Sequence, residues 1–207
     1  DGADDAPKPT LYFFGDSYTF GAGVEDDEAW PAIVAQKYLA DRVKVYNAGV
    51  NGYGIVQMVA RLFEIEQTLG PGDLVVFTPT ASDILRNVKD FVFPYQFVVR
   101  DTPDALRLRH YPFYENGKVL PMRLESSWWV RLRLSALMAP WTGKLFLGMH
   151  YLTRPDTTAE SIEMIALAKE RAEAKGVRFL LIFLPRLKEC RRGAYDVDVS
   201  GFDFVDI

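Results

Sequence analysis

Residues 11–17 read LYFFGDS: four apolar and aromatic residues, a glycine that stops them, then an aspartate and a serine. Leu11–Phe14 is too short for a helix and too apolar for a solvated edge, so it predicts a strand buried on both faces. Similar units recur downstream. Val43–Tyr46 (VKVY), Leu74–Phe77 (LVVF) and Val177–Leu184 (VRFLLIFL) read as strands, and Phe202–Ile207 (FDFVDI) as one more. Helical patterns lie between them. Asp27–Ala40 sets Trp30, Ile33, Val34 and Tyr38 at helical spacing, with acidic residues leading and Pro31 in the first turn, where proline is tolerated. Tyr53–Leu69 is a second amphipathic helix closed by the turn GPGD, and Thr157–Lys175 is a long one stopped by Gly176. Apolar strands alternating with helices predict a parallel sheet covered on both faces, a three-layer α/β/α domain.

One stretch breaks the rhythm. Between residues 90 and 156 the segment YENGKV predicts a hairpin turning at Asn116-Gly117. The text that follows mixes Trp128, Trp129, Trp141 and Phe146 with Arg131, Arg133 and Lys144. We read it as a helical insertion packed on the domain's edge. The sharper reading is a lid, or a surface that touches lipid, polymer or a partner protein. The expected organisation is therefore a flexible lead-in over residues 1–10 and one domain over 11–207, with an insertion at about 90–156.

Composition narrows the function. The chain has 207 residues, 49% of them hydrophobic, which excludes a disordered chain. Its formal net charge of -4 argues against a nucleic-acid partner, since phosphate binding needs a basic surface. A single cysteine, Cys190, and no Cys/His cluster give no disulfide and no metal spacing, so neither metal nor cofactor is expected. No apolar run reaches the ~18 residues of a membrane span. The opening DGADDAPKPT is acidic and lacks an initiator Met, which reads as a processed or trimmed N-terminus; it favours export slightly and leaves the compartment open.

In an open parallel sheet, ligands bind in the crevice outside the carboxyl ends of the strands. Three loops occupy that edge: GDSYTFGAGV (15–24), NAGVNGYG (47–54) and TPTASDILRN (78–87). A serine at position 17 can stand at a helix N-terminus, where free amides and the helix dipole stabilise a developing anion. The plainer reading is that Asp16 or Ser17 caps a helical turn. Asn47, Gly49, Asn51, Gly52 and Gly54 allow backbone amides to face the crevice, as an oxyanion hole, a phosphate cradle or merely a tight turn would require. The phosphate reading lacks a complete G-x-G-x-x-G and a G-K-[ST]. Ser82 and Asp83 precede an Ile-Leu pair that opens a helix; Ser82 is a hydroxyl donor, or either residue a cap.

Taken together, GDS after the first strand, N-x-G-x-x-G after the second and a small-residue/Asp block after the third resemble the SGNH/GDSL hydrolase family. The likeness covers residues 10–90 best, and 157–184 in outline. It implies a flavodoxin-like sheet in which Ser17 attacks an acyl carbonyl. It further implies oxyanion donors at the N–H of Ser17, the N–H of Gly52 and Ser82, with Asp16, Asn51 and Asp83 in support. The family carries Asn where Ser82 stands, and a lost donor of this kind costs about 10²–10³-fold in rate.

The family also places an Asp-x-x-His pair after the last strand, whose histidine takes the serine's proton. The sequence holds only His110 and His150, neither in that spacing and both within 90–156, so we leave them out of the site. We expect the Asp-His pair to lie beyond Ile207. Three functions follow. The first is an esterase acting on O-acyl groups of carbohydrate or on lipid acyl esters. The second is an O-acyltransferase that passes the acyl group to a sugar hydroxyl. The third is a catalytically inactive binding module on the same fold.

Overall fold

The computed structural model describes residues 8–39, 42–86, 98–102, 105–110, 113–115, 118–120, 123–125, 157–195 and 198–205. The N-terminal half carries β1 (Thr10–Gly15), α1 (Ser17–Phe20), α2 (Trp30–Val34), β2 (Lys44–Asn47), α3 (Ile55–Ile65) and β3 (Leu74–Thr78). Five short strands follow: β4 (Val98–Thr102), β5 (Ala105–His110), β6 (Phe113–Glu115), β7 (Lys118–Leu120) and β8 (Arg123–Glu125). The chain then continues through α4 (Thr158–Glu173), β9 (Arg178–Leu181) and α5 (Leu187–Arg192).

β1, β2, β3 and β9 pair in parallel in the order β2-β1-β3-β9. Side chains alternate across each strand, so the sequence of β1 serves two layers at once. Tyr12 and Phe14 lie in register with Val75 and Phe77 of β3, and these with Phe179 and Leu181 of β9. That face joins one buried cluster with Ile55, Met58, Val59 and Leu62 of α3 and Met164, Ile165 and Ala168 of α4. Phe13 faces the other way, its ring 4.9 Å from that of Trp30 at the start of α2. Helices thus cover both faces, as right-handed crossovers require when the chain steps from β1 out to β2 and back past β1 to β3. The α/β architecture read from the sequence is the one observed.

Element boundaries depart from expectation for local reasons. The first long helix starts at Trp30 with Pro31 in its first turn, as expected, but loosens into a π-helical turn over Ala35–Leu39. The second runs only to Ile65, and Glu66–Thr68 tighten into a 3-10 turn. The helix expected to open at Ile84 is a 3-10 segment over Ala81–Arg86, so Ser82 and Asp83 lie inside it. β9 stops at Leu181, three residues early. Leu184 N–H still donates to Pro79 O (2.8 Å), but Pro79 has no N–H to return, so the ladder breaks there. The expected final strand is not formed over Phe202–Val205. The Phe202 amide is spent in a turn on Val199 O (3.1 Å), and only Val205 N–H reaches β9, at Leu181 O (2.9 Å).

In the middle region β4, β5 and β8 form an antiparallel sheet, and β6 and β7 the expected hairpin, with Glu115 paired to Lys118. The turn itself, Asn116-Gly117, and the Trp-rich stretch 126–156 lie outside the described residues.

Candidate active site

The three loops singled out in the sequence do sit together at the carboxyl ends of β1, β2 and β3. At the first, β1 ends on Gly15 and the chain turns at once into α1. A Cβ on Gly15 would lie 2.0 Å from Thr19 Oγ1 and 2.8 Å from Thr78 Oγ1, so only glycine allows this turn. Those two hydroxyls share a 2.7 Å hydrogen bond, and Thr78 donates onward to Phe14 O (3.0 Å), which leaves Thr19 as donor between them. The turn is thereby pinned to the sheet.

Asp16, fully buried, is the N-cap of α1: its Oδ1 accepts the Tyr18 N–H at 2.9 Å. Ser17 follows, half-buried, as the first residue of the helix. Among the described residues neither its N–H nor its hydroxyl has a hydrogen-bond partner. The cap expected at Asp16 or Ser17 is therefore Asp16.

The second loop is tied to α1 by Asn47, whose Nδ2 donates to Thr19 O (2.8 Å) while its Oδ1 accepts the Gly49 N–H (3.0 Å). Val50 N–H donates to Gly15 O at 3.0 Å, continuing the parallel ladder beyond β2. The chain then turns through Asn51 and Gly52, closed by Tyr53 N–H on Val50 O (3.2 Å). Gly52 has φ +79°, the left-handed value that this position of the turn demands. Its N–H has no acceptor among the described residues. Asn51 is half-buried beside it, with its carboxamide oxygen shielded from solvent.

In the third loop Asp83 Oδ2 accepts the Thr80 N–H (2.8 Å), and the Ser82 hydroxyl lies 2.9 Å from that of Thr80. The carboxyls of Asp16 and Asp83 are both fully buried. Between them stands Arg86. Its Nη1 donates to Asp16 Oδ2 (3.1 Å) and to Tyr53 O (3.2 Å), and lies 2.7 Å from Asp83 Oδ1 with no hydrogen bond directed along that line. Burial, then the charge of Asp16, push the Asp83 carboxyl from an ordinary 3.8 up to about 8, against the opposing pull of Arg86 and the Thr80 N–H.

Arg86 is the residue the sequence reading missed. Its signal was present: an Asp-x-x-Arg spacing, three residues apart on a helical turn, at a strand's carboxyl end. Of the two histidines, His110 closes β5, and His150 lies outside the described residues. Among the described residues no group of His, Cys, Asp and Glu has the arrangement of a metal site, and no helix is long and apolar enough to cross a membrane.

No curated protein matches the chain. Among solved structures it is similar to TesA (21% identity, TM-score 0.45), covering 88% of this chain and 65% of that one. It is similar to AlinE4, described as an SGNH-hydrolase family esterase, at 22% identity over 40% of this chain and 46% of that one (TM-score 0.35). It is also similar to a member of the lipolytic protein G-D-S-L family from Veillonella parvula, at 14% identity over 83% and 56% of the two chains (TM-score 0.43). The chain spans 46% to 65% of the length of these structures. The model of one family, the GDSL-like lipase/acylhydrolases, matches residues 13–198 and so takes in all three loops and most of the sheet. The chain belongs to the GDSL-like lipase/acylhydrolase family.

Proposed function

We propose that the chain hydrolyses O-acyl esters through an acyl-serine intermediate, with Ser17 as nucleophile. The observation that carries this reading is the pair of open amides. The N–H groups of Ser17 and Gly52 come from two adjacent strand ends, and neither has an acceptor among the described residues. Preorganised donors of this kind, aimed where negative charge develops, commonly supply the largest share of acyl-transfer catalysis. Asp16 supports them by occupying the next amide of α1, that of Tyr18 (2.9 Å), which leaves the Ser17 amide to a ligand. Ser82 is the third donor in this reading; its hydroxyl lies 2.9 Å from that of Thr80, and either of the two can donate to the other.

In the reaction Ser17 Oγ attacks the acyl carbon and its proton passes to a base, which returns it to the departing alcohol. Water then attacks the acyl-serine, releases the acid and restores the hydroxyl. The reading requires a histidine base, and the 207 residues contain none in the family's Asp-x-x-His spacing. The substrate class is an O-acyl ester of a carbohydrate or lipid. Hydrolysis of short-chain nitrophenyl esters tests the reading. Wild-type turnover should vanish in Ser17→Ala while circular dichroism and Tm stay unchanged; turnover retained in that variant would remove Ser17 from the chemistry.

A further inference from the structure

We propose that Arg86 is a positioning residue that holds the donor loops of the site in mutual register. The inference rests on the reading of Ser17 and Gly52 as oxyanion donors. Each group that Arg86 Nη1 approaches is the chain neighbour of a donor: Asp16 of Ser17, Tyr53 of Gly52, and Asp83 of Ser82. One nitrogen therefore bears on all three strand ends. Hydrogen bonds from it go to Asp16 Oδ2 and Tyr53 O, the first and second loops, whose open amides must converge on one oxygen.

The backbone is built to receive this side chain. A Cβ on Gly54 would lie 2.8 Å from Arg86 Cβ and 2.8 Å from Asp83 O. Only glycine lets the third loop come so close to the second. Gln57 Oε1 then accepts the Gly54 N–H (2.8 Å), fixing the loop at the start of α3. The charges are arranged unequally. Asp16 makes hydrogen bonds through both carboxylate oxygens, to Tyr18 N–H and to Arg86, whereas Asp83 Oδ1 has the cation near it but no bond from it. Of the two carboxyls, Arg86 Nη1 thus bonds the one that caps the Ser17 helix, and the raised titration of Asp83 agrees with that division.

A residue that only stabilises the fold and one that aligns donors predict different results. The chain is compared as wild type, Arg86→Lys, Asp83→Asn and the double variant Asp83→Asn/Arg86→Met. The double variant removes the cation and neutralises residue 83 but leaves the buried Asp16 carboxylate without its partner, so alignment is separated from folding by comparing the variants only where each is fully folded. Two readouts are taken well below Tm: the rate at which a fluorophosphonate modifies Ser17, and hydrogen exchange of peptides covering 16–22 and 48–54. Relative to Asp83→Asn, the double variant should label about tenfold to a hundredfold more slowly. Its two peptides should lose protection together, and Arg86→Lys should lie between. Unchanged exchange in both peptides, or an unchanged labelling rate, overturns the proposal. If wild type itself resists the label, the Ser17 reading fails, while the exchange data still decide whether Arg86 couples the loops.

Discussion

Asp83 makes the residue scale measurable. Its folded carboxyl titrates near 8 against an ordinary 3.8, because burial and the Asp16 charge penalise its ionised form. The folded state therefore binds more protons than the unfolded chain between those two values. Its contribution is fully favourable below about pH 4 and is lost as pH rises towards 8, the reverse of an ordinary salt-bridged aspartate. Tm measured from pH 5 to pH 8 should fall more steeply for wild type than for Asp83→Asn; equal slopes would contradict the assignment. At this scale the sequence exposed the polar side chains but not their division of labour. The strand end alone pointed to a cap at Asp16 or Ser17, which Asp16 supplies, whereas Ser17 and Gly52 were singled out for the site through the family's blocks. Arg86 was not, because its three partners are separated from it by 70, 33 and 3 positions, and only the last is a local signal.

Elements were legible where burial alone decides them. LYFF, LVVF and the start of VRFLLIFL are continuous apolar runs, and each became a strand of the parallel sheet. Their ends were not, because ends depend on where individual amides go. Pro79 breaks the β3–β9 ladder, and Val199 O takes the Phe202 amide from what reads as a strand. The apolar text of that final segment is used instead as packing. Phe183 is fully buried, its ring 5.2 Å from those of both Phe202 and Phe204 and 6.1 Å from that of Tyr195. Phe183→Ala should destabilise the chain by about 3–5 kcal/mol in denaturant unfolding. A loss under 1 kcal/mol would mean that this cluster does not hold the carboxyl-terminal segment to β9.

At the scale of the whole molecule, a parallel sheet gathers residues from distant parts of the chain at one edge. Ser17, Gly52 and Ser82 each follow a strand, and neighbouring strands β2, β1 and β3 bring those strand ends together. That is why three short, individually weak blocks could be read jointly, and why the family match spans residues 13–198 and not one motif. In the middle of the chain the β6–β7 hairpin was legible from its local turn signal, whereas the antiparallel pairing of β4, β5 and β8 was not read from the sequence. The account turns on whether the hydroxyl of Ser17 is activated in the folded protein. The most direct measurement is peptide mass spectrometry of the whole chain after exposure to a fluorophosphonate. The account predicts one adduct, on Ser17, lost when the protein is unfolded before labelling. A folded chain left unmodified at Ser17, under conditions that label a known serine esterase, would contradict it.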